Sequence, residues 1–200
     1  MMDTYRTISK QSEALFKEKG SKFIAFLYPV ESIEEIQEYL NECKQIHPKA
    51  THHCTAYKIG TNDIEERAND DGEPSGSAGK PILGQIHSFD LTNILIVVVR
   101  YYGGTKLGVG GLQTAYKTAA KLAIESNKIE VKNIPYYYTL NFPFDQQGKV
   151  EHQMKLSNGA LIEKSFTTTC LFKIRIPKAN SEGFESRINQ EHTIEITKEN

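Results

Sequence analysis

Residues 94–112 read Ile94-Leu95-Ile96-Val97-Val98-Val99-Arg100-Tyr101-Tyr102-Gly103-Gly104-Thr105-Lys106-Leu107-Gly108-Val109-Gly110-Gly111-Leu112. The six apolar residues before Arg100 form a short run rich in β-branched side chains, which predicts a strand buried on both faces. The strand ends in a glycine-rich loop, and the spacing of Leu112, Ala115, Tyr116, Ala119 and Ala123 predicts a helix over 112–127 with a small-residue face suited to packing on a sheet. A second glycine loop lies just upstream, Asp70-Asp71-Gly72-Glu73-Pro74-Ser75-Gly76-Ser77-Ala78-Gly79-Lys80-Pro81. Nine of the chain's 14 glycines fall between Gly72 and Gly111. Such concentration predicts turns at positive φ or close approach of another group to the main chain.

The rest of the chain arranges itself around these loops. Residues 5–30 read as strands, with a polar turn at 17–22 and a strand over 23–28. Ser32 and Glu35 predict a capped helix carrying Ile33, Ile36, Leu40 and Cys43, ended by Pro48. Residues 51–59 return as a strand, 60–79 read as one long polar loop, and a short helix follows over 82–89. Composition changes at 131–135, which divides the chain into domains 1–132 and 136–200. The second shows strand 136–142, helix 145–156, strands 160–166 and 168–176, helix 181–189 and strand 193–197, with Asp145 and Ser181 as N-caps. That βαββαβ order is the split-βαβ, ferredoxin-like pattern, and the whole reads as α+β.

With 38 % hydrophobic and 24 % charged residues and a formal charge of -1, the 200-residue chain is ordinary and globular, without global attraction to nucleic acid. Cys43, Cys54 and Cys170 are odd in number and lack CxxC spacing, which predicts free thiols in a reducing compartment. No apolar run approaches the roughly 20 residues that span a bilayer, and the first residues show no signal-peptide pattern. The expectation is a cytoplasmic protein with no membrane partner.

Several constellations invite chemistry. The segment 61–73 carries a net charge of -5, and Asp70, Asp71 and Glu73 form a set able to hold a hard cation or to cap backbone amides. We favour capping or a solvated loop, with no metal. Ser75 and Ser77 fail the G-x-S-x-G elbow, because Ser75 stands where its first glycine belongs. His52 and Cys54 share one face of a strand and His53 the other, too few ligands for zinc but suited to polar or acid–base contact near neutral pH. The second loop makes the strongest case. Residues 95–132 carry +4, and Arg100, Tyr101, Tyr102 and Lys106 surround glycines Gly103, Gly104, Gly108, Gly110 and Gly111 ahead of a helix N-terminus. Unpaired amides there favour an anion, and the aromatic pair suits base stacking. Neither the P-loop nor the dinucleotide motif fits. The opposite charges of the two loops also allow them to pair with each other, which would remove the basic patch from service.

At these loops the sequence resembles the IMPACT family, including its bacterial YigZ-like members. The resemblance rests on 70–81, on Val97 to Gly104, on Lys106-Leu107-Gly108 with Gly110-Gly111-Leu112, and on Ser21-Lys22-Phe23-Ile24 and His52-His53-Cys54. Ser77 departs from the threonine of many relatives. It implies an N-terminal domain like ribosomal protein S5 domain 2, and a C-terminal ferredoxin-like domain similar to those of elongation factors that drive translocation. Eukaryotic relatives regulate translation by competing for the activator of a starvation-responsive initiation-factor kinase, through a further module that these residues do not match. The family offers no established catalytic residue and no cofactor to carry over. The expected function is therefore a non-enzymatic, translation-linked protein that contacts RNA, the ribosome or a protein partner. Its expected contact surface is Arg100, Tyr101, Tyr102, Gly103, Gly104, Lys106, Gly108, Gly110 and Gly111, with Asp70, Asp71, Glu73, Ser75, Gly76, His52 and His53 around them. The rival expectation is an enzyme acting on a phosphorylated small molecule, with magnesium on the acidic loop and phosphate on the glycines.

Overall fold

The computed structural model describes residues 3–199. In chain order these form β1 (Thr4–Ile8), β2 (Ser12–Glu18), β3 (Ser21–Pro29), α1 (Ile33–Ile46), β4 (His52–Ile59), β5 (Glu65–Asn69), α2 (Gly79–Ser88), β6 (Ile94–Tyr101), α3 (Gly108–Glu125) and β7 (Ile129–Asn133). They continue with β8 (Pro135–Phe142), α4 (Gln147–Leu156), β9 (Ala160–Phe166), β10 (Cys170–Pro177), α5 (Lys178–Ile188) and β11 (Glu195–Glu199). The class is α+β. The chain divides into two units, residues 5–132 and residues 3–4 with 133–199. Among the described residues no helix is long and apolar enough to cross a membrane.

The apolar run at 94–99 decides the first unit. It becomes β6, the centre of a five-stranded sheet of order β2-β3-β6-β4-β5 in which each neighbouring pair is antiparallel. A central strand covered on both sides has no polar face, and all six residues are 0 % exposed. Leu95, Val97 and Val99 pack with Ile36 and Cys43 of α1, while Ile94, Ile96 and Val98 pack with Ile82 and Ile86 of α2 and Leu112 and Tyr116 of α3. Burying each such side chain contributes about 1.5–3 kcal/mol. At the start of α1, Ser32 Oγ accepts from the Glu35 amide at 3.2 Å, and the Glu35 carboxylate accepts from the Glu31 amide at 2.6 Å. The reciprocal cap thus reaches one residue further back than the usual box.

Two expectations change here. The long polar loop contains β5, whose sequence Glu65-Glu66-Arg67-Ala68-Asn69 has little strand propensity. Pairing from Thr55↔Asn69 to Ile59↔Glu65 imposes the strand, and its charges suit a sheet edge that must not recruit other chains. Helix α3 begins at Gly108 rather than Leu112, so Gly110 and Gly111 lie in its first turn instead of in the loop. Glycine costs about 1 kcal/mol in a helix interior, but terminal positions need less from propensity because the packed face downstream holds the helix.

In the second unit the elements run β8-α4-β9-β10-α5-β11, and the antiparallel sheet has the order β11-β8-β10-β9. Its core joins Leu140, Phe142, Phe172 and Ile174 to Val150, Met154, Phe184 and Ile188 of the two helices. The expected caps are not used. A 3-10 turn at Phe144–Gln146 precedes α4, so Asp145 lies inside that turn. Helix α5 starts directly after Pro177, so Ser181 falls inside it and donates to the Lys178 carbonyl at 2.8 Å.

Because Ile96 is fully buried at the centre of the sheet, Ile96→Ala should destabilise the protein by about 2–5 kcal/mol. Urea unfolding of the two proteins checks this; an effect below 1 kcal/mol, flagged by an unchanged midpoint, would argue that the strand is not central.

Candidate functional site

Arg100 stands one residue from the end of β6, opposite Phe23 of β3 and His52 of β4, so the three side chains share the face covered by α2 and α3. Its guanidinium does not reach solvent. Nη1 donates to Glu73 Oε1 at 2.6 Å, and the two side chains are 7 % and 3 % exposed. The same oxygen accepts the Tyr116 hydroxyl of α3 at 2.8 Å. Cys54 Sγ lies 3.3 Å from that hydroxyl and 3.0 Å from the Asp70 carbonyl. Arg100 Nη2 donates to Ser21 Oγ at 3.5 Å, and Ser21 Oγ also accepts from the Gly103 amide at 3.1 Å. The guanidinium lies 5.4 Å from the ring centres of both Phe23 and Tyr102, within cation–π range. One buried ion pair therefore ties the first glycine loop, three strands and α3 together.

The other acidic residues of that loop are also engaged. Asp70 Oδ1 accepts from the amides of Ala78 and Gly79 at 2.9 and 2.8 Å, and Oδ2 accepts from Gly76 at 2.8 Å. Ala78, at the N-cap of α2, has no side-chain cap of its own, so Asp70 supplies a negative group to the helix start from eight residues upstream. Burial by itself would raise the Asp70 carboxyl, but the three amides and Lys80 outweigh it and hold it below the usual carboxylate range. Asp71, at φ +43°, accepts from the His53 amide through Oδ2 at 2.6 Å. The capping reading of the loop is the one realised. Asp70 and Glu73, which the rival reading would give to magnesium, are engaged here by backbone amides and by Arg100 and Tyr116.

The histidines separate as strand geometry requires. His52 Nδ1 lies 2.7 Å from the Asp71 carbonyl, which can only accept, so Nδ1 carries a proton. Its Nε2 faces Glu73 Oε1 at 3.8 Å. The His53 ring lies on the opposite face, and burial lowers its pKa from the ordinary value. Burial likewise pushes the Cys54 thiol up to about 12 and raises the Tyr116 hydroxyl strongly. Neither group is poised as a nucleophile near neutral pH.

What faces solvent is the turn between β6 and α3. Tyr102 is 48 % exposed, and Lys106 is exposed. Gly104 and Gly108 adopt φ +85° and +71°, and a Cβ on either, or on Gly110, would meet nothing within 4 Å. Leu107 at the N-cap of α3 gives no side-chain cap, which leaves the amides of the first turn available to a ligand. Gly103 is required for a different reason, since a Cβ there would sit 1.9 Å from the Gly20 backbone. Gly76 offers its carbonyl to Gln113 Nε2 of α3 at 3.3 Å, and Ser75 beside it is exposed. Tyr101 turns to the α1 face, its hydroxyl 2.9 Å from His47 Nδ1.

The expectation that Arg100 receives an anionic ligand is thus corrected: its charge is matched by Glu73 within the molecule, and the cation left at the turn is Lys106. The sequence reading missed Ser21, Cys54 and Tyr116 as partners in this network. A lone tyrosine on the otherwise alanine- and leucine-rich face of α3 was the available signal, since a buried phenol needs a polar partner.

The model of the Impact N-terminal domain matches residues 19–124. The IMPACT family member YvyE of Bacillus subtilis is 33 % identical over 92 % of this chain and 85 % of its own length. YigZ of Escherichia coli, another IMPACT family member, is 33 % identical over 85 % of this chain and 84 % of its own. A crystal structure described as that of a hypothetical protein superposes with a TM-score of 0.77 at 27 % identity, covering 98 % of this chain and 97 % of that one.

The lowered Asp70 carboxyl fixes a pH dependence. A folded pKa below the unfolded one stabilises fully above the unfolded value, about 4, and the gain is lost as pH falls through the folded value. Asp70→Asn should therefore flatten the acid limb of the stability–pH profile; an unchanged limb would contradict the capping role. With Cys43, Cys54 and Cys170 all buried, thiol reagents at pH 8 should label the native protein slowly and all three cysteines promptly in urea. Rapid native labelling of Cys54 would contradict its packing.

Proposed function

The chain belongs to the IMPACT family, and on that premise we propose that it is a non-enzymatic, translation-linked regulator that contacts RNA or the ribosome through the turn between β6 and α3. Family membership supports the link to translation, since eukaryotic relatives regulate that process. The observation that carries the surface is the open mouth of α3, where amides without a side-chain cap, flanked by Lys106 and the exposed Tyr102 ring, meet solvent at glycine positions with free space. Helix N-termini favour phosphate, and an exposed aromatic ring stacks on a base at about 1–3 kcal/mol. Arg100 acts here as a support, holding Tyr102 in place rather than touching the ligand.

We read the unit of residues 5–132 as a domain like ribosomal protein S5 domain 2 and residues 136–199 as ferredoxin-like. The strand order β11-β8-β10-β9 on a βαββαβ chain supports the second assignment. An antiparallel sheet that delivers a glycine turn into α3 supports the first. Fold of this kind is compatible with RNA contact and does not by itself assign it.

Co-sedimentation with ribosomes across a potassium chloride series tests the reading. Wild-type protein should pellet at low salt and dissociate as salt rises, while Tyr102→Ala with Lys106→Ala should weaken association about tenfold without changing the melting temperature. Association that ignores salt, or that survives both substitutions, contradicts it.

A further inference from the structure

One end of the sheet of the first unit gathers exposed lysines. At the end where β6 finishes, the β2–β3 turn presents Lys17, Lys19 and Lys22, and its Gly20 backbone lies directly against Gly103. The end of α1 and the following segment bring Lys44 and Lys49 to the same place, since His47 meets the Tyr101 hydroxyl and the Thr51 amide donates to the Arg100 carbonyl at 2.8 Å. Lys106 completes the group from the turn before α3. All six are exposed. Among the described residues the lysine ion pairs are made by Lys121, Lys149, Lys173, Lys178 and Lys198, and none of these six joins them.

Local folding does not account for this arrangement. Lys17 and Lys22 are directly opposite each other in the β2–β3 ladder, a like-charge placement that disfavours the hairpin. Three carboxylates near that end are taken, Asp70 by amides, Asp71 by the His53 amide, and Glu73 by Arg100, while Glu18 of the β2–β3 turn and Glu42 of α1 stand among the lysines and leave the group with an excess of positive charge. The far end of the sheet is mixed, with Glu34 and Glu35 in the first turn of α1, Asp63 in the β4–β5 turn and Glu65 at the start of β5, beside Lys10, Lys58 and Lys132.

We propose that these six lysines form a phosphodiester-binding crown, and that single-stranded RNA runs across it with a base stacked on Tyr102. This rests on the RNA reading above and extends it to a surface on the hairpin and α1 side. An acidic protein would match the charge, and its carboxylates would suit the open helix amides equally, but it brings no run of planar bases to stack on the exposed Tyr102 ring. That ring favours a ligand with planar bases as well as phosphates.

The test measures fluorescence anisotropy of a labelled 20-nucleotide poly(U) strand with the full-length protein from low to high potassium chloride. Lys17→Ala, Lys19→Ala and Lys22→Ala combined should lower affinity about tenfold or more and reduce the slope of log K against log salt by about 2, as expected for three lost phosphate contacts on a single strand. The corresponding triple arginine variant should restore both, and the melting temperature should not fall. If the alanine variant keeps wild-type affinity and slope while the Tyr102/Lys106 variant loses binding, the crown is overturned and the turn reading survives. If wild-type protein shows no salt-sensitive binding, both are overturned. If polyglutamate displaces poly(U) at equal charge concentration, the ligand is an acidic protein and the RNA assignment is overturned.

Discussion

Glu73 can be buried in this protein because Arg100 is buried beside it. An isolated carboxylate or guanidinium in such a place would be very costly, and each charge is tolerated only through the other and the hydrogen bonds around the pair. The consequences spread outward from that 2.6 Å contact. The first glycine loop is drawn down onto the sheet, Tyr116 is given an acceptor, and Arg100 lies within cation–π range of both Phe23 and Tyr102. A feature that looks in the sequence like a receptor for anions is, in three dimensions, the fastening of the site.

The division of labour between the loops follows. The acidic loop is a structural clasp: Asp70 caps α2, Asp71 holds the edge of β4, and Glu73 anchors the guanidinium. The second loop, relieved of those duties, stays open. Gly103 is fixed by its approach to Gly20, whereas Gly104, Gly108 and Gly110 have space above them. Rigid support beneath and open backbone above is the combination expected of a binding surface placed on a loop. The lysine crown surrounds this open part and raises the local concentration of a polyanion there.

Much of this was legible in the residues. The run Ile94–Val99 announced a doubly buried strand, Ser32 and Glu35 announced α1, and the alternation after Pro135 gave the order of the second unit's elements. Where the reading failed, tertiary context had overridden a local signal. Strand β5 has no propensity of its own and exists because β4 offers it a partner. The caps at Asp145 and Ser181 gave way to a 3-10 turn and to Pro177. The pairing of Glu73 with Arg100 joins residues 27 apart in sequence, and opposite charge alone cannot tell a partner within the chain from one outside it. The lysines of the β2–β3 turn, read only as a polar turn, gained meaning when Gly20 proved to touch Gly103.

The Glu73–Arg100 contact is a structural one, and a double-mutant cycle measures that directly. Urea unfolding of Glu73→Gln, Arg100→Met and the double variant should show each single change costing about 3–5 kcal/mol, because each leaves a charge buried alone. The double variant should be less destabilised than the sum, with a coupling of about 2 kcal/mol or more. Additive, mild effects would contradict the account and return Arg100 to the solvent-facing role that its sequence neighbourhood suggests.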